Sequence, residues 1–279
     1  MSSPIPYTFL LGQSHSGSTL LAFLANAHPE VLSVGETNRL EELFPSRWSR
    51  DRLDPCSCGQ PYYQCEFWNR SLAGLAAAGH GLGHPDSFDF KPKDKVKAQS
   101  KLAAFVRSML NTAGKRMFFD ASKHYFCLPA LVDNPELDVR VVDLYRDGRG
   151  IVQSWRKNNP QTPDVNLVRE FRRRERMRVD VLKGMPADRV FKLKYEDFCQ
   201  APQDVLRAMF SFMNVDPSVD VTVGYKTTAE HHIIGNQMRL NTDESIRFDE
   251  KWRTTLSDNL SAVFKKIAAR TNAENGYAD

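Results

Sequence analysis

Near the start of the chain, Gly12-Gln13-Ser14-His15-Ser16-Gly17-Ser18-Thr19 has the composition of an anion-binding turn. The apolar run Tyr7 to Leu11 before it reads as a buried strand, and Leu20, Phe23, Leu24 and Ala27 after it recur at i, i+3, i+4 and i+7, the period of one helical face. A glycine-rich turn between strand and helix presents backbone N–H groups at the positive end of the helix dipole, which suits a phosphate or sulfate. Gly12, Gly17 and Thr19 keep the spacing of the triphosphatase loop G-x-x-x-x-G-K-[ST], but Ser18 stands in the lysine position. The chemistry indicated is anion binding without the lysine that reaches the β- and γ-phosphates of ATP. The plain alternative is a Ser- and Gly-rich connection with no ligand.

A second polar segment follows a second apolar run. Val139 to Tyr145 has a buried-strand pattern that ends on Arg146-Asp147-Gly148-Arg149, and the helix after it carries Ile151, Val152, Ser154 and Trp155. A guanidinium fork matches phosphate geometry and a serine hydroxyl adds one more donor. Taken singly, Arg146 and Ser154 read equally well as a surface arginine and a helix serine.

Together these segments resemble the PAPS-dependent sulfotransferase family, where PAPS is 3′-phosphoadenosine-5′-phosphosulfate. Ser14 to Leu21 is similar to the family's 5′-phosphosulfate loop, a basic residue followed by Ser-Gly-[ST]-[ST]-[LW]. Ala27-His28-Pro29-Glu30-Val31 through Gly35-Glu36 resembles the tyrosylprotein and bacterial branches. The resemblance implies that His15, Ser16, Gly17, Ser18 and Thr19 hold the 5′ end of the nucleotide. His15 departs from the usual Arg or Lys, which makes the charge there pH-dependent. Arg146 and Ser154, eight residues apart, have the spacing of the family's 3′-phosphate segment. Leu193 to Phe198 is similar to its Tyr-Glu-Asp-Leu element, which places Tyr195 beside the nucleotide or, equally, at the edge of the core. His231 to Arg239 resembles the loop over the 3′-phosphate, with His232, Gly235, Asn236 and Arg239 as contacts, although the Arg-Lys-Gly of cytosolic members is missing.

Sulfuryl transfer needs a base for the acceptor hydroxyl and a positive group for the leaving phosphate oxygen. Glu36 follows the short apolar run Val31 to Val34 and Gly35, placing it at a strand end; a Glu at the matching distance is the proposed base of the tyrosylprotein branch. It could alternatively cap a helix starting near Thr37. Lys123, in Asp120-Ala121-Ser122-Lys123 just past another strand end, is the candidate for the bridging oxygen, with Ser122 in support. The family uses PAPS as cosubstrate and no metal, and the implied partner is a hydroxyl-bearing acceptor.

The elements that must position these residues alternate. Strands are expected at Tyr7 to Leu11, Arg116 to Phe119, Val139 to Tyr145 and Arg189 to Leu193. Helices are expected at Thr19 to Ala27, Lys95 to Asn111, Val165 to Leu182, Pro202 to Met213 and Ser257 to Arg270. That order predicts an α/β fold with a central parallel sheet covered on both faces, and the resemblance implies the three-layer, P-loop-like sulfotransferase version of it. No linker divides the chain, so residues 1–279 are read as a single domain, with Pro45 to Pro92 as an irregular insertion and a polar break at Asn158 to Pro163.

Composition narrows the class. The chain has 279 residues, 41% hydrophobic and 26% charged, with 38 Lys and Arg against 34 Asp and Glu, a net +4 that falls far short of a nucleic-acid binder. No apolar run is long enough to span a bilayer, so no transmembrane segment is expected. The first residues lack the charged-then-apolar pattern of a secretory signal, and five cysteines fit a reducing compartment. The expectation is a soluble cytoplasmic protein.

Cys56-Ser57-Cys58 and Cys65 read as a structural cluster or a disulfide. Zinc would need a fourth ligand, for which His80 or His84 would have to serve, and the reading assigns no metal. Arg169 to Arg178 holds six arginines whose spread around a helix predicts a solvated face, or a lip attracting an acidic acceptor. Two other functions compete with sulfuryl transfer: a P-loop small-molecule kinase, which Ser18 disfavours, and a catalytically idle nucleotide-binding protein, which Glu36 disfavours.

Overall fold

The computed structural model describes residues 3–37, 55–80, 95–228, 231–232 and 243–277. Five strands form one sheet: β1 (Ile5–Gly12), β2 (Val31–Leu32), β3 (Met117–Asp120), β4 (Leu137–Tyr145) and β5 (Val190–Lys194). Their order is β2-β3-β1-β4-β5 and every pairing is parallel. Parallel neighbours require crossovers, and helices supply them. The helices are α1 (Ser18–Ala27), α2 (Glu66–Ala77), α3 (Lys95–Ala113), α4 (Cys127–Val132), α5 (Gly148–Asn158), α6 (Asp164–Leu182), α7 (Tyr195–Gln200), α8 (Pro202–Phe212), α9 (Tyr225–Thr228), α10 (Trp252–Thr255) and α11 (Asp258–Glu274).

Side chains of β1 alternate between the two faces, as strand geometry demands. Tyr7, Phe9 and Leu11 join the layer built on α2, α3 and α4, whereas Leu10 joins the layer of α1, α7 and α8. A third apolar cluster, with Ile151, Val152, Phe171 and Phe264, ties α5 and α6 to α11. The result is the α/β architecture with a central parallel sheet that the β/α alternation predicts.

Two expectations are corrected. The segment Pro45 to Pro92 is not irregular over Glu66–Ala77, where α2 buries Phe67, Trp68, Ser71 and Leu75. Flanking Cys, Gly and Pro obscured its period. Packing against α3 is close: a Cβ at Gly74 would lie 2.1 Å from Ser108 Oγ, which donates to Ser71 O at 2.7 Å. The arginine-rich helix is likewise not a uniformly solvated face. Arg178 is 4% exposed and bonds both Asp143 carboxylate oxygens at 2.7 and 2.6 Å, with Glu175 and Asn275 completing the cluster. Six arginines in ten residues hid one buried strut whose acid partner lies on β4.

β1 sits at the centre, where the chain crosses from its β3 side to its β4 side. In open parallel sheets ligands bind at such a reversal, beyond the carboxyl ends of the strands. The expected site residues follow the ends of the strands: Gly12 to Thr19 after β1, Glu36 after β2, Lys123 after β3, Arg146 after β4 and Tyr195 after β5.

Candidate active site at the sheet's carboxyl edge

The conformation of the first loop is fixed by its backbone and by hydrogen bonds from its neighbours. Gly17, the N-cap of α1, has φ 92°, and a Cβ there would lie 2.6 Å from the Tyr195 ring, so only glycine fits. His15 is also left-handed, at φ 68°. Ser16 Oγ donates to Gln13 O at 2.7 Å and fixes the turn, while Gln13 Nε2 donates to Glu175 on α6. Trp155 Nε1 donates to Ser14 Oγ at 3.0 Å. Ser18 is buried and Thr19 half-buried at the start of α1.

The second segment meets this loop directly. Arg146, 7% exposed, donates from Nη1 to His15 O at 3.0 Å and from Nη2 to Asp249 O at 2.8 Å. Its guanidinium lies over the Tyr195 ring at 4.3 Å, and its buried Nε has no hydrogen-bond partner among the described residues. Ser154 Oγ is 2.9 Å from His15 Nδ1, and Asn158 Nδ2 is 3.3 Å from His15 Nε2. Residues 131 to 143 positions apart in sequence thus share one polar cluster. Burial, then the Lys123 and Arg146 charges, push His15 below the usual imidazole range. That direction favours the neutral ring.

Glu36 and Lys123 form the third part. Lys123 Nζ donates to Glu36 Oε1 at 2.7 Å, with side chains 12% and 19% exposed respectively. Two left-handed turns aim them at each other, Gly35 at φ 93° and Lys123 at φ 60°. For a non-glycine residue that conformation is held only when the surroundings enforce it. Here the enforcement is visible: Ala121 N–H donates to Gly35 O at 3.2 Å. Buried Asp120 accepts from Tyr7 OH at 2.6 Å, Thr37 Oγ1 at 2.6 Å and Ser122 N–H at 2.9 Å. Burial pushes the Asp120 carboxyl up, and the hydrogen bonds from Ser122, Thr37 and Tyr7 counter it. Ser122 is thus tied to Asp120 in the turn that carries Lys123.

The sequence profile of the Sulfotransferase family matches residues 6–218, most of the chain. The chain belongs to the sulfotransferase family. Carbohydrate sulfotransferase 3 of Mus musculus is 27% identical over 172 residues, 54% of this chain but 36% of that protein, so the match spans about a third of the relative's length. The sulfotransferase domain of the Synechococcus PCC 7002 olefin synthase superposes with a TM-score of 0.61 at 20% identity, covering 100% of this chain and 97% of that one. The sulfotransferase domain of the curacin biosynthetic pathway does so with a TM-score of 0.51 at 17% identity, covering 96% and 99%. These two likenesses concern the fold, and they identify it as the sulfotransferase form of the α/β sheet.

Within this family member, the structure brings together His15, Arg146 and Ser154, sets Tyr195 beneath Gly17 and Arg146, and pairs Glu36 with Lys123. His232 is placed differently. It is 1% exposed and stacks on Phe23 of α1 with ring centroids 4.4 Å apart, packed into the core rather than presented at the loop. Gly235, Asn236 and Arg239 lie outside the described residues. Sequence reasoning missed Asp249, Asn158 and Asp120, whose partners come from distant segments. Only Asp120 carried a signal, as an acid within an apolar strand.

Proposed function

We propose that the chain, acting as one domain, transfers a sulfuryl group from PAPS to a hydroxyl acceptor in the reducing cytoplasm. The observation that carries this reading is the convergence of the lysine-free loop, through His15, with Arg146 and Ser154. A loop that lacks the triphosphatase lysine, next to a buried guanidinium with an unspent Nε donor, suits a nucleotide carrying separate 5′ and 3′ anionic groups. Tyr195 closes the floor of that pocket.

The acceptor oxygen attacks sulfur, and its proton passes to the Glu36 carboxylate. The bond from sulfur to the bridging oxygen breaks, its electron pair stays on the 5′-phosphate of the departing 3′-phosphoadenosine-5′-phosphate, and Lys123 Nζ stabilises that charge. In this structure Lys123 occupies Glu36 Oε1. Its movement onto the donor frees that oxygen to take the acceptor's proton. Such a division of labour between one acid and one cation needs no metal in the transfer step.

The test is label transfer. ³⁵S-labelled PAPS is incubated with the chain and pooled hydroxyl compounds in magnesium-free buffer, starting with carbohydrates, the class named in the mouse relative. The expected result is a sulfated product that needs no magnesium. Label transfer from γ-³²P ATP with magnesium, and none from PAPS, would establish the kinase instead.

A further inference from the structure

Three cysteines and one histidine outside the nucleotide pocket converge on a point. Cys56 opens a tight turn that contains Cys58 and is closed by Cys56 N–H to Gln60 O at 3.0 Å and Gly59 N–H to Cys56 O at 2.8 Å. Cys65 is the N-cap of α2. His231 arrives from 166 residues beyond Cys65. The three sulfurs and one imidazole nitrogen all lie within 4.8 Å of one another, and none of the cysteines is in a disulfide.

From this geometry we propose that Cys56, Cys58, Cys65 and His231 form a structural zinc site. A zinc ion bound tetrahedrally, about 2.3 Å from sulfur and about 2.0 Å from nitrogen, requires ligand atoms roughly 3.4 to 3.8 Å apart. Three of the six separations are 3.8 Å from Cys58 Sγ to Cys65 Sγ, 3.8 Å from Cys56 Sγ to His231 Nδ1 and 3.2 Å from Cys65 Sγ to His231 Nδ1, and the others lie within 4.8 Å. A disulfide would need two sulfurs at about 2.05 Å and would leave the third thiol and the imidazole unused.

Contacts around the ligands hold them in place. The His231 ring stacks on Phe67 at 4.6 Å with planes 5° apart. Between the ligands, Ser57 N–H donates to His232 O at 3.0 Å and His232 N–H donates to Ser57 Oγ at 2.8 Å. These two bonds set the two segments of the site facing one another. Cys56 and Cys65 are buried, Cys58 is exposed and His231 half-buried, which gives an enclosed site with one open side for entry. Among the described residues the fourth ligand is His231, not His80; His84 lies outside them.

Binding deprotonates the three thiols, releasing their protons to solvent, while the imidazole binds neutral. The ion would clip the loop before α2 to residues 231–232. His232 in turn packs on Phe23, one turn beyond the anion loop. The metal's task is to hold that junction together, not to take part in the transfer.

The test reads metal rather than turnover, so it is independent of the nucleotide reading. The untagged chain is purified with reductant from zinc-supplemented culture, and metal is measured by plasma mass spectrometry. Roughly one zinc per chain is expected. Cys58→Ser, at the exposed ligand, should lower it at least about fivefold, His231→Cys should keep it, and His80→Ala should leave it unchanged. Cobalt grown in its place should show a near-ultraviolet thiolate charge-transfer band, a readout that needs no variant to fold. Parent chain free of zinc and cobalt, zinc content indifferent to Cys58→Ser, or a bond between Cys58 and Cys65 in non-reduced peptide maps would each overturn the site.

Discussion

Glu36→Gln is expected to fold, to bind the nucleotide with near-parental affinity and to turn over about 10²-fold or more slowly, the loss typical of a missing general base. The expectation rests on how Glu36 is held. Its Oε1 accepts from Lys123 Nζ at 2.7 Å, and an amide oxygen can accept the same bond. Gly35 and Ala121 position the turn through their backbones, which the substitution does not touch. What glutamine cannot do is take a proton. If Glu36 only capped a neighbouring segment, the amide would serve as well and turnover would stay parental. Normal turnover would move the base elsewhere, and loss of nucleotide binding would make Glu36 structural. Rate and affinity measured on the same preparation separate these outcomes.

Arg146→Ala should weaken binding of 3′-phosphoadenosine-5′-phosphate by at least about 1.5 kcal/mol, or roughly tenfold, the lower range for a charge-assisted hydrogen bond. Arg146 also bonds His15 O and Asp249 O, so truncation leaves two backbone acceptors without that donor and should lower the melting temperature. The comparison that isolates binding is AMP, which has no 3′-phosphate. A variant that loses affinity for the 3′-phosphorylated nucleotide but not for AMP has lost a phosphate contact. A variant that loses both has lost the loop.

The legible parts of this protein are those whose signal is local. The first loop could be read because Gly12, Gly17 and Thr19 sit between a continuous apolar run and a helix of period 3.6, and strand and helix form where those patterns indicate. Arg146 and Ser154 could be paired because both lie on one strand-to-helix connection. Lys123 and Glu36 stood at strand ends, and parallel pairing of β2 with β3 brings those ends together.

What escaped the sequence depends on contacts between remote segments. Asp249 reaches Arg146 across 103 positions, and His231 reaches Cys56 across 175. No periodicity encodes such a meeting. The burial of Arg178 is hidden for a related reason: it is set by Asp143 on β4, and on its own helix Arg178 looks like its solvated neighbours. His232 was assigned to the nucleotide from its neighbourhood in sequence, yet its ring stacks on Phe23, an apolar partner that the helical period of α1 had already turned inward.

The most direct measurement is a calorimetric titration of the parent chain with 3′-phosphoadenosine-5′-phosphate, AMP and ATP in magnesium-free buffer. Two charge-assisted contacts to the 3′-phosphate, from Arg146 and Ser154, predict roughly 10²-fold tighter binding of 3′-phosphoadenosine-5′-phosphate than of AMP. ATP, lacking both the 3′-phosphate and a loop lysine to meet its γ-phosphate, should bind no better than AMP. Equal affinity for 3′-phosphoadenosine-5′-phosphate and AMP, or a preference for ATP that appears when magnesium is restored, would contradict the account.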